Sequence, residues 1–161
     1  MSSTPLPRIG LGIDSHRLVA GRACWLGGLL IPCDRGPEGH SDGDAILHAA
    51  CDAVLGAAGL DDLGTLFRDS DPRWKGADSA LFCAEVMRQL QPHGLRVLSL
   101  DVVVETEVPR IGPHRAAMRA RLGELFQLPV DRVNVKGKSG EQMGDIGTGR
   151  LLRATVVALL A

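Results

Sequence analysis

The segment DGDAILHAACDAVLGAA (residues 42–58) decides the fold that this sequence predicts. Its apolar residues recur at the spacing of one helix face, namely Ile46, Ala49, Ala50, Ala53, Val54 and Ala57. Ser41 followed by Asp44 resembles a capping box in which Asp replaces the usual Glu. The segment therefore predicts an amphipathic helix over residues 42–58.

Segments of strand and helix character surround this helix. Alternating, β-branched and apolar residues predict strands over residues 8–13, 24–31, 95–105, 130–136 and 150–161. Further helices are predicted over residues 78–91, with Asp78 as N-cap, and from Pro113 to Leu128. A turn-rich stretch (32–43) and a long polar loop (60–77), with room for one helical turn, complete the chain. Because strands and helices mix without strict alternation, the predicted fold class is an α/β (α+β) sandwich.

Composition and charge exclude several classes of function. The 161 residues predict one domain over residues 1–161, with 1–7 as a loose leader. A net charge of -1 argues against a basic surface for nucleic acid and against a polybasic membrane anchor. The sequence contains no apolar run of the ~20 residues that a membrane helix needs, and its start lacks the apolar core of a signal peptide. Four cysteines without CxxC spacing indicate reduced thiols in a cytoplasmic protein.

Carboxylates and imidazoles cluster in two places. Asp14 and His16 follow the first predicted strand, and side chains two apart on a strand point the same way. HSDGDAILH (40–48) sets His40 and His48 beside carboxylates around a helix start. Carboxylate oxygen and imidazole nitrogen suit zinc, and these residues would leave an open coordination position, as catalytic sites do. The alternatives are surface polar residues at a strand end and a core histidine after a capped helix start.

A glycine-rich loop, GKSGEQMGDIGTG (137–149), follows the strand predicted over residues 130–136. It matches neither a P-loop nor a dinucleotide fingerprint, but backbone amides, Lys138 and Ser139 could hold phosphate oxygens. Glu141 is unexpected in an anion-binding loop unless it holds a second, harder cation such as Mg²⁺. The alternative is a flexible surface loop.

Five motifs follow one another along the chain: RIGLGIDSH, HSDGDAILHA, DDLGTLFRDSDPRWKGADS, PRIGPHRAAM and VNVKGKSGE. Together, from Arg8 to about Leu160, they resemble the 2-C-methyl-D-erythritol 2,4-cyclodiphosphate synthase family. The resemblance implies an enzyme of the non-mevalonate isoprenoid pathway that cyclises a cytidine diphosphate substrate and expels CMP. It also implies a ferredoxin-like protomer, and a homotrimer with active sites between subunits.

The resemblance assigns site residues at matching positions. It makes Asp14, His16 and His48 the zinc ligands, Glu141 the ligand of Mg²⁺ or Mn²⁺, and His40 and Ser139 the catalytic residues. The residues implied to bind substrate are Asp14, Ser15, His16, His40, Ser41, Asp62, Leu63, Gly64, Phe67, Arg68, Asp69, Ser70, Asp71, Thr106, Glu107, Val108, Pro109, Arg110, Ile111, Gly112, Lys138, Ser139, Gly140 and Glu141.

The chain departs from the family pattern in several places. Ser139 replaces the usual Thr and keeps its hydroxyl, Arg68 replaces a Pro, and Leu11 stands where many members carry His. Asp145 and Thr148 replace the Phe and Arg that face the central channel of the trimer. That last departure weighs against an isoprenoid diphosphate in the channel of this protein.

Two other functions remain open from the sequence. A two-metal phosphoesterase would use similar residues to transfer a phosphoryl group to water. A noncatalytic, metal-dependent nucleotide-binding module would use them only to bind.

Overall fold

The computed structural model describes residues 6–68 and 70–161. Leu6 and Pro7 are exposed and outside regular structure, and the rest of the predicted leader (1–5) lies outside the described residues. In chain order the elements are β1 (Arg8–Ala20), β2 (Cys24–Leu26), β3 (Leu29–Ile31), β4 (Arg35–Pro37), α1 (Ala45–Ala58), α2 (Leu63–Leu66), α3 (Ser79–Leu90), β5 (Val97–Glu105), α4 (Arg115–Phe126), β6 (Val133–Lys138), α5 (Gly144–Gly147) and β7 (Leu151–Leu160).

Five strands form a mixed sheet in the order β4-β1-β7-β5-β6, and β2 pairs with β3 in a separate hairpin. The β1–β7 pair is antiparallel and runs from Arg8 opposite Leu160 to Arg17 opposite Leu151. β5 pairs antiparallel with β7 and parallel with β6. The predicted α/β (α+β) fold class is therefore confirmed, and its sheet is mixed.

Glycine residues of β1 let α1 approach the sheet closely. Gly10 and Gly12 lie buried on the face of β1 that meets α1. A Cβ atom on Gly12 would overlap the carbonyl oxygen of Ala49, and one on Gly10 would overlap that of Ala53. The helix backbone thus rests on the strand backbone. Asp14 and His16 continue the same strand face, so this contact also sets how near α1 comes to them.

Asp44 explains two differences from the sequence prediction. It is the N-cap of α1: its Oδ1 accepts hydrogen bonds from the backbone N–H groups of Ile46 and Leu47, so the predicted start at Ser41 was wrong. The same carboxylate accepts the N–H groups of Gly27 and Gly28, at 2.9 and 2.6 Å. These two glycines have positive φ and make the turn between β2 and β3, so the predicted single strand over 24–31 is a hairpin.

Most of the remaining elements agree with the predictions in kind and differ at their ends, but β4 and the short α5 form where a turn-rich stretch and a loop were predicted. Asp78 caps α3 as expected, through Ala80 N–H. Pro113 lies in a 3-10 turn (Gly112–His114) just before α4, rather than in the α-helix itself. The long loop contains α2 and a second 3-10 turn, Pro72–Trp74. The last predicted strand, over residues 150–161, is β7 (Leu151–Leu160), at the centre of the sheet.

One face of the sheet is left without helices over it. On β1 the side chains opposite Gly10 and Gly12 are Ile9, Leu11 and Ile13, which are 72%, 59% and 56% exposed. Val157 of β7, which pairs with Leu11, is 41% exposed. Among the described helices, none is long and apolar enough to cross a bilayer.

Candidate active site

Asp14, His16 and His48 converge where the end of β1 meets the first turn of α1. Asp14 Oδ2 lies 2.8 Å from His16 Nε2 and 3.1 Å from His48 Nδ1. One donor atom from each of the three lies within 4.8 Å of the others. Within residues 6–68 and 70–161 this is the one such group of His, Cys, Asp and Glu, so His40, Asp42 and Asp44 do not join it.

The hydrogen bonding of His16 favours a cation at this point. His16 Nδ1 lies 2.7 Å from the Glu38 carbonyl oxygen, which can only accept, so Nδ1 carries the proton. Nε2 of the neutral ring then presents a lone pair to the Asp14 carboxylate, which also has only lone pairs to offer. A divalent ion bound by both atoms would remove the repulsion between these lone pairs. A ligand histidine whose other nitrogen donates to a backbone carbonyl is also the usual arrangement at metal sites. The residues present therefore fit a metal ion.

The protonation of the cluster follows from its contacts. Burial tends to raise the pKa of Asp14, but when both rings are protonated their hydrogen bonds and charges outweigh it and bring the pKa well below its usual value. Burial tends to lower the pKa of His16, and the hydrogen bond and charge of Asp14 raise it overall. Asp14 is thus a permanent anion at the centre of the cluster.

A cavity of about 290 Å³ opens beside the three residues. It is lined by Asp14, His16, Gly39, His40, Ser41, His48, Asp52, Leu63, Gly64, Phe67, Trp74 and Phe82. Eight of these are residues that the sequence implied as metal, catalytic or substrate-binding positions, so the resemblance and the cavity agree here.

Aromatic side chains form one wall of this cavity. The ring centroids of Phe67 and Phe82 are 4.5 Å apart, and those of Phe67 and Trp74 are 5.1 Å apart. The His48 ring lies 5.9 Å from Phe82. Three of the five aromatic residues in the chain thus surround one side of the metal-ligating cluster and shield it from solvent.

The loop that carries His40 is fixed from two sides. Arg22 donates hydrogen bonds to the carbonyl oxygens of Gly39 and Ser41, at 2.8 and 3.0 Å. The carbonyl oxygen of His40 accepts a bond from Gly76 N–H at 2.8 Å. Held in this way, the exposed His40 side chain lines the cavity beside the cluster.

A second cleft, of about 410 Å³, lies at the ends of β5 and β6. Its lining is Thr106, Glu107, Arg110, Ile111, Gly112, Arg115, Gly137, Lys138 and Ser139. Three of these side chains are cationic, which suits phosphate groups. Ser139 lines this cleft and His40 lines the other, so a single protomer does not bring the two implied catalytic residues to one cavity.

The loop after β6 positions Glu141 beside Ser139. The Ser139 hydroxyl donates to Glu141 Oε1 at 3.1 Å, and Gly140 N–H donates to Glu107 Oε2 at 3.2 Å. Glu141 and Gln142 both have positive φ, which turns the chain sharply. The Glu141 carboxylate is exposed, as a ligand for a second cation would need to be.

Other implied substrate residues are placed less directly. Ser15 lies on the opposite face of β1 from Asp14 and His16. Asp62 caps α2 through Thr65 N–H, and Asp71 pairs with Arg73, 2.5 Å from Oδ2 to Nη2. Arg68 and Ser70 are exposed, and Asp69 lies outside the described residues. Val108 and Pro109 follow Thr106, whose hydroxyl donates to the Val108 carbonyl oxygen.

The two residues that depart from the family at the channel positions interact locally. Asp145 forms an ion pair with Arg150 at 2.7 Å. The Thr148 hydroxyl donates to the Gly144 carbonyl oxygen at 2.8 Å and accepts from Arg150 Nε at 3.0 Å. Asp145 thus partly neutralises a cation that the glycine-rich loop would otherwise present.

Sequence reasoning missed some residues of the site. Asp52 lines the first cavity and accepts the Leu63 N–H at 2.8 Å, which joins α1 to the loop after it. Its position four residues after His48 places it on the same helix face, a signal that the spacing already contained. Trp74, Phe82 and Arg115 gave no local signal, because only the fold brings them to the clefts.

Comparison with known proteins gives a consistent result. The sequence pattern of the YgbB family matches residues 7–161. A curated 2-C-methyl-D-erythritol 2,4-cyclodiphosphate synthase of Solibacter usitatus is 44% identical over 95% of this chain and 96% of its own length. A synthase of the same name from Synechococcus sp. (strain JA-3-3Ab) is 46% identical over 95% of this chain and 98% of its own length. A solved synthase in a CDP-bound form is 44% identical with a TM-score of 0.88, over 96% of this chain and 100% of the other.

Proposed function

The chain belongs to the YgbB family, and from that premise we propose that it is a 2-C-methyl-D-erythritol 2,4-cyclodiphosphate synthase of the non-mevalonate isoprenoid pathway. It converts 4-diphosphocytidyl-2-C-methyl-D-erythritol 2-phosphate to the 2,4-cyclodiphosphate and CMP. Within the structure, the observation that carries this proposal is the convergence of Asp14, His16 and His48 on one cavity.

The reaction needs positioning and charge rather than an activated side chain. An oxygen of the substrate's 2-phosphate forms a bond to the β-phosphorus, while the bond from that phosphorus to the oxygen of the α-phosphate breaks and CMP leaves. The nucleophile is already anionic and tethered, so the barrier is largely that of folding the substrate into attack geometry. The cavity walls and loops of this chain supply that geometry.

We propose two sites for divalent ions. Asp14, His16 and His48 would hold zinc, since one carboxylate oxygen and two imidazole nitrogens are a ligand set that catalytic zinc sites use. Glu141 holds Mg²⁺ or Mn²⁺, which prefer oxygen ligands. When bound, the ions supply Lewis-acid stabilisation of charge on the phosphate oxygens.

The side chains and backbone amides of the two clefts bind the substrate and stabilise the charge that moves during the reaction. His40 and Ser139 donate hydrogen bonds to phosphate oxygens as charge moves from the nucleophile to the leaving group. Lys138, Arg110 and the backbone amides of the loop after β6 bind the phosphates and cytidine of the leaving CMP. The other residues from Thr106 to Gly112 complete the cytidine and phosphate pocket. The substrate-binding loop is formed by Ser41, Asp62, Leu63, Gly64 and residues 67–71.

We propose that the active enzyme is a homotrimer with each active site between two subunits. The support is that the implied site is divided in one protomer: His40 lies in one cleft and Ser139 in the other. The aliphatic face of Ile9, Leu11 and Ile13 is uncovered in one chain, and a contiguous exposed apolar patch of this kind marks an interface. A second and third copy of the chain cover it.

Leu11→Glu tests the trimer. A charge placed at the centre of this face, where the leucine is exposed in the protomer, should dissociate the assembly without unfolding the chain. We expect sedimentation as a monomer and turnover lowered at least about 100-fold, since an interface core charge costs several kcal/mol when buried unpaired. Leu81→Glu, at an equally exposed leucine on α3, should remain trimeric and active. A trimeric Leu11→Glu variant would refute this interface.

Glu141→Gln tests the second cation. Loss of the charged oxygen ligand should raise the Mg²⁺ concentration for half-maximal turnover at least about tenfold, while zinc content stays unchanged. Turnover measured across a Mg²⁺ titration gives the shift. Glu124→Gln on α4, whose carboxylate pairs with Arg121, is the matched control and should titrate as the parent does. Superimposable titrations for Glu141→Gln and the parent would argue against the role of Glu141.

The wider assignments are also proposals. We infer a single catalytic domain over residues 1–161, and a cytoplasmic location because the four cysteines are free thiols. The protomer is ferredoxin-like in having one helical layer on one sheet. Its parallel β5–β6 pair and its order of elements differ from the β-α-β-β-α-β order of that fold.

One incubation tests the function directly. The purified chain is mixed with the cytidylylated 2-phosphate substrate, Zn²⁺ and Mg²⁺, and the products are separated and followed by ³¹P NMR. Cyclic diphosphate with one equivalent of CMP supports the synthase. Release of inorganic phosphate would instead support the two-metal phosphoesterase, and binding without any product would support the noncatalytic module.

A further inference from the structure

Ser79 lies directly behind the metal-ligating cluster. It is the first residue of α3, and its side chain is fully buried. Its Oγ is 2.9 Å from His48 Nε2, on the side of the ring away from Asp14. No role in the proposed reaction has yet been given to this hydroxyl.

Asp42 fixes the direction of the Ser79 hydroxyl. Its carboxylate accepts three hydrogen bonds, from the Ser79 hydroxyl to Oδ1, from Ser79 N–H to Oδ2 at 2.8 Å and from Asp44 N–H to Oδ1 at 3.0 Å. Since a carboxylate only accepts, the single hydroxyl proton of Ser79 points at Asp42. Ser79 Oγ therefore presents its lone pairs to His48 Nε2 and acts as an acceptor.

This direction determines which nitrogen of His48 carries a proton. An acceptor at Nε2 requires an N–H there, so Nδ1 of the neutral ring is left with a lone pair. Nδ1 is the atom that faces Asp14 at 3.1 Å. The chain from Asp42 through Ser79 to His48 thus leaves the metal-facing nitrogen free to coordinate.

We propose that Ser79, backed by Asp42, is a positioning residue of the metal centre, which holds His48 in the Nε2–H tautomer with Nδ1 turned toward the ion. The inference rests on the proposed metal site and goes beyond it, because neither residue touches ion or substrate. Partners of this kind on a ligand histidine typically contribute 10- to 100-fold to metal affinity.

Ser41 supplies a weaker second acceptor. Its Oγ lies 3.1 Å from His48 Nε2 and accepts the Gly43 N–H at 3.3 Å. A hydroxyl can accept as well as donate, so Ser41 is compatible with the tautomer that Ser79 selects. It would limit the effect of losing Ser79 to a weakening of metal binding rather than its loss.

Ser79→Ala is the test, with Zn²⁺ as the probe. The full-length apoprotein, prepared with a chelator, competes with a chromophoric chelator for Zn²⁺. We expect the Zn²⁺ dissociation constant to rise about 10- to 100-fold. In long-range ¹H–¹⁵N spectra of the apoprotein, His48 should show the Nε2–H pattern in the parent and a mixture of tautomers in the variant. These readouts do not depend on turnover, so they remain informative even if the proposed reaction is wrong.

Asp78→Ala separates positioning from a merely structural effect. Asp78 caps the same helix end through Ala80 N–H at 2.8 Å and makes no hydrogen bond to His48. Asp78→Ala should lower the urea midpoint of unfolding, because the helix loses its cap, and leave zinc affinity unchanged. If Ser79→Ala does not fold, Asp42→Asn keeps the hydroxyl but removes its charged acceptor, and it should also weaken zinc binding. A Zn²⁺ dissociation constant within twofold of the parent in the folded variant, or an equal loss in Asp78→Ala, would overturn the proposal.

Discussion

Replacing His48 by alanine is expected to lower turnover at least about 10³-fold and to leave the purified protein unable to retain the proposed divalent ion. His48 provides one of three donor atoms that meet within 4.8 Å. An Asp and one His cannot hold zinc in a catalytic geometry, which takes three protein ligands. Lewis-acid stabilisation of this kind amounts to several kcal/mol, and each 1.36 kcal/mol is tenfold in rate. Metal content after gel filtration and turnover at saturating substrate measure the two effects.

A second histidine gives the matched control. His93 is exposed on the 3-10 turn that follows α3, with no contact to the cluster. His93→Ala should keep the full metal content and turnover. His48→Ala should retain the circular dichroism spectrum and oligomeric state of the parent, since the partners behind it, Ser79 and Asp42, still bond to each other. A His48→Ala variant that retained both metal and turnover would remove His48 from the ligand set.

The sequence predicted elements best where the signal was local. The apolar face of α1 and the N-cap of α3 at Asp78 depend only on residues within one or two helical turns. The start of α1 was predicted wrongly because Asp44 binds two amides of a hairpin 16 and 17 residues earlier in the chain. The same long-range contact creates the turn at Gly27 and Gly28 that divides the predicted strand over 24–31.

For the site, too, sequence spacing predicts some residues, whereas others are brought together only by tertiary packing. Asp14 and His16 could be paired from their spacing on a strand, and His48 from its place on a helix. Ser79 and Phe82 reach the cluster only because α3 packs against α1, which no spacing within either segment indicates. Ser139 and His40 likewise lie in different clefts of one chain, and the proposed trimer would join them across a subunit boundary.

Gly12→Ala should destabilise the protein by at least about 3 kcal/mol, at the upper end of the range for overpacking. An added Cβ would overlap the Ala49 carbonyl oxygen and press on the Ala53 backbone nitrogen. Both are main-chain atoms of α1, so no side-chain rotation can relieve the clash and the whole helix must move. Urea unfolding at one fixed protein concentration measures the change, since oligomer stability depends on concentration.

Gly56→Ala is also a glycine-to-alanine substitution, but it is expected to raise the free energy of unfolding rather than lower it. Gly56 lies on the exposed side of α1, where an added Cβ meets nothing within 4 Å. Alanine there should stabilise the helix by up to about 1 kcal/mol, because it is a better helix former.

Gly12 shares its strand face with Asp14, so moving α1 away also moves His48 from its 3.1 Å contact with Asp14. Gly12→Ala should therefore weaken Zn²⁺ binding even in whatever fraction stays folded, whereas Gly56→Ala should not. Equal stability and equal zinc affinity in the two variants would show that the contact between β1 and α1 does not set the metal site.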